Sequence, residues 1–380
     1  MTDLTDPVEL TQQLLACRSI TPVDGGAQDL LSNWLRELGF TIYRSLDGAA
    51  PNGPVPNLLA VRGNGESPHL AFAGHSDVVP PGAGWQSDPF TPEVRGNLLY
   101  GRGAVDMKGA IGAAISAIAT LPVEQSGTVS FIITGDEEGP AQYGTLALMD
   151  RMDSLGLRPD MILVGEPTSQ QRLGDTIKIG RRGSVNMWIT VNGQQGHVAY
   201  PHLAYNPATP MVRILDRLKR RILDDGNDWF QPSNLEITDF AIGNEATNVI
   251  PAQAHARINI RFNNEHRGQQ LIDWVQSVIT DEVGRRGELR AEISGEAFLT
   301  DPGHWSDIVA TAILTEVGID PELSTSGGTS DARFLSKWCP VVEFGLSNAT
   351  MHKLDEAVAI DDLIDLASIY RRIFKVILGL

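Results

Sequence analysis

The chain has 380 residues, 42% hydrophobic and 20% charged, with 47 acidic against 30 basic side chains and a formal charge of −17. That length supports two domains with buried cores, and the acidic balance argues against a nucleic-acid groove or an anionic membrane surface as the main partner. An anionic substrate has to be met by local metal charge or by placed arginines.

Only two cysteines occur, Cys17 and Cys339, far apart and in no metal-spaced pair. Neither a disulfide framework nor a cysteine zinc site is expected, and a reducing compartment is the default. Met1 to Asp6 is acidic and lacks the apolar run of a signal peptide, and the longest apolar stretch, 109–121, is too short for a bilayer. The expectation is a soluble, cytoplasmic protein without membrane or nucleic-acid partners.

In chain order, Asp6-Pro7 predicts a capped helix over 7–16, and an amphipathic pattern predicts a second over 27–38, stopped by Gly39. Apolar runs at 57–61 and 69–73 read as strands. A glycine-rich turn at 98–103 leads into a helix over 108–121, which places Asp106 at the helix N-terminus. Strand 128–134, helix 144–153 and strand 160–164 continue an α/β alternation that implies a largely parallel or mixed sheet. From Gly183 the pattern changes to strand 184–191, a basic-faced helix 207–223, strands 235–242 and 252–262, helix 268–283 and strand 289–294. This βαββαβ order is the ferredoxin-like α+β arrangement. Helix 305–317, strand 341–344 and helix 361–378 resume the first pattern. A small domain, 183–295, inserted into an α/β domain made of 1–182 and 296–380 accounts for the order, and no internal repeat argues otherwise.

The chemistry concentrates where these runs end. Gly135-Asp136-Glu137-Glu138-Gly139 follows an apolar strand, placing adjacent carboxylates where open α/β sheets keep their ligand crevices. Carboxylates so placed call for a cation. Gly74-His75-Ser76-Asp77, Gly101-Arg102-Gly103-Ala104-Val105-Asp106-Met107-Lys108-Gly109, Gly165-Glu166-Pro167 and Met351-His352-Lys353 each follow or end a similar run. His75 offers an imidazole, and Asp77 a carboxylate that could hold or orient it. Asp106 reads either as a helix N-cap or as a bridge between two ions about 3.5–4 Å apart. Successive strand-end side chains point to opposite sides, so Glu138 is expected as a ligand and Glu137 as a general base on bound water. Glu166 and His352 complete the set. Two histidines and three carboxylates suit zinc, with cobalt or manganese as substitutes. Arg62-Gly63-Asn64-Gly65 and Pro81-Gly82-Ala83-Gly84 lack phosphate-loop spacing and read as turns, and Lys219-Arg220-Arg221 reads as a solvated helix face.

Taken together and in order, these motifs resemble the M20 family of co-catalytic zinc aminoacylases and carboxypeptidases over nearly the whole chain. The resemblance implies a mixed-sheet zinc-peptidase-like catalytic domain with an inserted ferredoxin-like lid, through which the protein forms a homodimer. It implies two Zn2+ per subunit: His75 and Glu166 on one, Glu138 and His352 on the other, Asp106 on both, with Glu137 handling the proton of a shared water. It implies a cis peptide at Asp106-Met107, and a His197 that reaches the partner subunit's active site to stabilise the tetrahedral oxyanion. The segments 196–202, 247–251, 326–334 and 348–356 resemble the branch that cleaves N-succinyl-LL-2,6-diaminopimelate to succinate and LL-2,6-diaminopimelate in lysine and diaminopimelate biosynthesis. For that small N-succinyl amino acid, Arg182 and Arg261 are the expected cationic anchors. Tyr200, Asn248, Gly328 and Thr329 are the expected neutral partners. The alternatives are another amidohydrolase of the family, such as an N-acetylornithine deacetylase or a dipeptidase, and a metal-bearing binding protein without turnover.

Overall fold

The computed structural model describes residues 2–124 and 126–380. Two compact units divide the chain: one takes the residues up to Ile179 with Thr300–Ser324 and Ser330–Leu380, the other Gly180–Leu299 with Thr325–Thr329.

The first unit is built on an eight-stranded mixed sheet in the order Thr41–Asp47, Val55–Arg62, Thr128–Thr134, His69–His75, Met161–Val164, Val341–Glu343, Thr176–Lys178, Glu322–Ser324. Strands Val55–Arg62 and Thr128–Thr134 are buried along their whole length, which is why their apolar runs are nearly continuous rather than alternating. The four strands from Thr128–Thr134 to Val341–Glu343 are parallel neighbours, with His75 opposite Thr134, Ala73 opposite Val164 and Val164 opposite Glu343. Their C-terminal ends therefore share one edge of the sheet, the edge to which the acidic and histidine motifs were assigned.

Helices cover both faces. Asp6 caps Pro7–Ala16, its carboxylate accepting the Val8 and Glu9 amides. That helix and Ile360–Leu378 pack on Lys108–Ala119, which is buried from Lys108 to Ile118 and carries small residues where the backbones meet. A Cβ on Gly112 would lie 2.6 Å from Thr11 Oγ1, so only glycine permits this approach. Ala27–Glu37 and Thr145–Leu155 pack on the sheet through Val55–Arg62.

The sequence pattern missed Thr41–Asp47, whose exposed and half-buried residues carry no apolar run, and the short strands Thr176–Lys178 and Glu322–Ser324. It also missed a three-stranded sheet of Glu93–Arg95, Leu98–Tyr100 and Ala357–Ala359. Three-residue strands are too short for alternation to register.

The second unit carries a four-stranded antiparallel sheet in the order Asn234–Ala241, Gln253–Phe262, Gly183–Asn192, Gly287–Gly295. Its helices are Ala208–Arg220 and Gly268–Val283. Chain order and strand order are both those of the expected ferredoxin-like arrangement. In Gln253–Phe262 every second residue from Ala254 to Phe262 is buried, and Val185, Ile258, Ile214 and Val275 are among the residues joining strands and helices in one core.

Candidate metal centre

His75 is the last residue of its strand, and its Nδ1 lies 2.9 Å from the carbonyl oxygen of Asp77. A neutral imidazole held this way donates from Nδ1 and keeps the Nε2 lone pair for a ligand. Nε2 faces Asp106 Oδ1 at 3.1 Å and Glu166 Oε1 at 3.8 Å. On the other side, His352 Nε2 lies 3.1 Å from Asp106 Oδ2 and 2.9 Å from Glu138 Oε1. Asp106 thus turns one oxygen to each histidine. His75, Asp106 and Glu166 form one set, and Asp106, Glu138 and His352 a second, with the donor atoms of each set within 4.8 Å of one another.

The N-cap alternative for Asp106 is not what the structure shows, because the helix begins at Lys108 without a side-chain cap bond. The peptide Asp106-Met107 is cis, as the resemblance implied. Asp77 orients His75 through its main chain: its carboxylate is 3.7 Å from Nδ1, farther than the carbonyl. The carboxylate instead accepts the amides of Glu137 at 3.3 Å and Glu138 at 3.1 Å, and so orients the acidic stretch itself. Asp136, given no role from the sequence, is fully buried and accepts the amides of Gln142 at 2.8 Å and Tyr143 at 3.1 Å. An aspartate at the end of a buried strand ahead of Gly139-Pro140 was the available signal.

The electrostatics fit cations. Burial opposes protonation of His75, yet the hydrogen bond and charge of Asp106, with Glu137 and Asp77, carry its pKa well above the ordinary value. Hydrogen bonds to Asp106 and Glu138 push His352 up to about 10. Asp106 is held low by the two imidazoles against the effect of burial. Burial raises Glu137 well above the usual carboxylate range, and Glu166 adds to it. Asp77 rises to about 6, chiefly through burial. Five carboxylates, Asp77, Asp106, Glu137, Glu138 and Glu166, thus create a field that rewards positive charge at two neighbouring points. Two divalent ions would offset four of those five negative charges, and the mixed imidazole and carboxylate donors suit a borderline metal. Glu137 belongs to neither ligand set, which leaves its carboxylate available.

Every residue expected to bind substrate lies in the second unit. Arg182 donates to Asn234 Oδ1 at 3.1 Å, and Asn234 is the strand partner of Arg261. With its amide oxygen turned toward Arg182, Gln231 also accepts from Nη1 at 2.7 Å and Nη2 at 2.9 Å. Burial lowers the pKa of both arginines, and Arg261 lowers that of Arg182 further, so two guanidinium groups are held near one another with no carboxylate among the causes. His197 and Tyr200 belong to an exposed group: their ring centroids lie 5.8 Å apart with the planes tilted at 54°, and the Val198 amide donates to the Asn248 carbonyl at 3.1 Å. The Gly328 carbonyl accepts from Arg181 at 3.2 Å, and Thr329 is half-buried. Arg182 precedes strand Gly183–Asn192, and His197 follows its other end.

An α/β sheet whose parallel strands end in two ligand sets sharing one carboxylate, with a further carboxylate beside them, defines a metallohydrolase. The sequence matches Peptidase family M20/M25/M40 over residues 71–376, and the chain belongs to that family. It is 62% identical over 376 residues to a protein named succinyl-diaminopimelate desuccinylase from Rhizorhabdus wittichii, covering 99% of each chain. A protein of the same name from Zymomonas mobilis is 54% identical, covering 100% of each chain. Among solved structures, a tripeptidase from Staphylococcus aureus superposes with a TM-score of 0.80 at 20% identity over 100% of both chains. A Bacillus subtilis protein described as a dinuclear metal-binding peptidase of the M20 family superposes at 0.72 and 17% identity, covering 99% of this chain and 98% of that one. No helix among the described residues is long and apolar enough to cross a membrane.

Proposed function

We propose that this protein hydrolyses the amide of N-succinyl-LL-2,6-diaminopimelate, releasing succinate and LL-2,6-diaminopimelate. The observation that carries the reaction type is the Asp106 carboxylate shared between His75 and His352 at 3.1 Å each, beside a half-buried Glu137 outside both ligand sets. Support for the substrate comes from the 62% identity over 99% of both chains to a protein bearing the desuccinylase name.

His75 and Glu166 would hold one cation, Glu138 and His352 the other, and Asp106 both; zinc is the metal the donor set favours. Bound there, the pair supplies Lewis-acid polarisation of an amide carbonyl and of water. Glu137 takes the proton from the water as its oxygen bonds to the carbonyl carbon, then passes it to the amine nitrogen as the C–N bond breaks. Asp77 keeps that carboxylate in place through the amides of Glu137 and Glu138. Arg182 and Arg261 receive substrate carboxylates, for which paired guanidinium groups are suited.

His197 accepts the Ala199 amide on Nδ1 at 3.1 Å, so its neutral ring carries the proton on Nε2, an exposed donor suited to an oxyanion. We assign that role to His197 of the partner subunit in a homodimer formed through the second unit. Arg182 and His197 flank opposite ends of strand Gly183–Asn192, which supports the reading that a second copy contributes one of the two groups.

Side-by-side hydrolysis of N-succinyl-LL-2,6-diaminopimelate and N-acetylornithine by the zinc-loaded protein tests this reading. The expected kcat/KM favours the succinyl substrate by at least about a hundredfold, some 2.7 kcal/mol of transition-state binding. Equal rates, or preference for the acetyl compound, would reject it.

A further inference from the structure

The carboxylate of Glu356, fully buried, is surrounded by donors. Oε2 accepts Arg102 Nη1 at 2.7 Å and the Gly103 amide at 3.0 Å; Oε1 accepts the amides of Val105 at 2.9 Å and Asp106 at 3.3 Å. The Glu356 carbonyl also accepts the Gly101 amide at 3.0 Å, and Ala357 pairs with Tyr100 in the small three-stranded sheet. Arg102, likewise buried, reaches on to the Pro81 carbonyl at 3.2 Å and lies over the Trp85 ring. The whole turn from Gly101 to Asp106 is therefore wrapped around one side chain.

That side chain stands four residues after His352, and the turn it grips ends in Asp106, the residue whose two oxygens face His75 and His352. We infer that Glu356 is a positioning residue for the metal centre: it fixes the orientation of the Asp106 carboxylate and ties the two segments that carry Asp106 and His352 into one piece. This rests on the metal-site reading given above. Every group around the Glu356 oxygens is a donor, so an amide in its place would set an N–H against an N–H whichever way it turned. The turn would have to shift, and Asp106 would shift with it. Partners of this kind, one bond removed from the ligands, change metal affinity by about 10–100-fold when lost.

The test is metal affinity and ligand-field spectrum rather than turnover. Metal-free wild type, Glu356→Gln, Glu356→Asp and Tyr370→Phe are titrated with Co2+ against a chelator, and the visible spectrum is recorded at saturation. Tyr370→Phe is the structural control, since it removes a buried hydrogen bond to the Phe344 carbonyl outside the ligand sets. Expected are two Co2+ per wild-type chain, a loss of about 10–100-fold for Glu356→Gln with an altered spectrum, partial recovery in Glu356→Asp, and wild-type values for Tyr370→Phe. Wild-type affinity and spectrum in Glu356→Gln overturn the inference, as does a loss no larger than in the control. If Glu356→Gln does not fold, Arg102→Met carries the test, with several-fold weaker binding expected and wild-type binding overturning it. A wild-type chain that binds no pair of ions would sink the metal-site reading itself, an outcome distinguishable from equal binding by wild type and variant.

Discussion

Replacing Glu137 with glutamine separates the proposed proton carrier from the ligands. The two side chains are nearly isosteric, and Glu137 lies outside both donor sets, so two ions should still bind. General-base catalysis contributes about 10²–10⁴-fold, or roughly 2.7–5.4 kcal/mol at 1.36 kcal/mol per decade. Burial, and secondarily the charge of Glu166, raise the Glu137 carboxyl well above its usual range. The expected loss in kcat is that of a missing general base, about 10²–10⁴-fold. The KM should change little, because no ground-state contact is removed. Calorimetric titration of the metal-free variant with zinc, beside steady-state hydrolysis, reads both quantities. A second consequence follows from crowding: the metal-free variant should melt higher than metal-free wild type, since one of five clustered carboxylates has lost its charge. A kcat within tenfold of wild type with both ions bound would refute the proton-carrier role.

Three further outcomes are expected. Co-expressing Glu137→Gln and His197→Ala chains should restore about a quarter of wild-type activity, because half the random dimers are mixed and each mixed dimer holds one intact site; confirmed mixed dimers without activity would place His197 in its own subunit's chemistry, and a fully active His197→Ala protein would place it outside the chemistry. Arg261→Met should lower kcat/KM for the succinyl substrate by about a hundredfold and affect an acetylated analogue much less, as a lost charge-assisted carboxylate contact requires; equal losses would remove the anchor assignment. Asp224, which accepts from the Gly226 and Ser233 amides, Asn263 Nδ2 and His266 Nε2, is held below the ordinary carboxylate value by Ser233, Gly226 and His266 against the effect of burial. A carboxyl lowered in the folded state stabilises above its unfolded pKa and loses that contribution as pH falls through the folded value. Asp224→Asn should therefore destabilise by about 1–3 kcal/mol at pH 7 and by much less near pH 3, with a pH-independent difference in thermal melts counting against it.

The sequence exposes the residues that face the centre because each sits at an abrupt junction. A buried, mainly apolar strand ends and a His, Asp or Glu follows, as at Thr134 to Glu138 or Val164 to Glu166. Patterning was sufficient for the βαββαβ insertion too, since its long strands alternate cleanly, Gln253–Phe262 above all. What stays illegible is any partner defined by a main-chain group. Nothing in the residue types at 75–77 distinguishes the Asp77 carbonyl from its carboxylate as the acceptor for His75. Likewise Arg102 and Glu356 are separated by 254 positions and meet only when three short strands, none long enough to carry a pattern, form their sheet.

This division also explains how an acidic centre is tolerated before any cation binds. The acids around it serve two different purposes. Asp77, Asp136 and Glu356 are buried and turn their oxygens to main-chain amides, of Glu137 and Glu138, of Gln142 and Tyr143, and of Gly103, Val105 and Asp106. Those bonds, which in Asp136 engage one oxygen, immobilise the loops that carry the ligands. Asp106 and Glu138 have no such shelter; they face the imidazoles, and Glu137 is crowded by Glu166. The amide-bound acids give the loops a fixed shape that does not depend on the cation. Glu137, disfavoured as an anion by burial and by Glu166, is the acid that added positive charge would relieve, and this is how the centre rewards a cation.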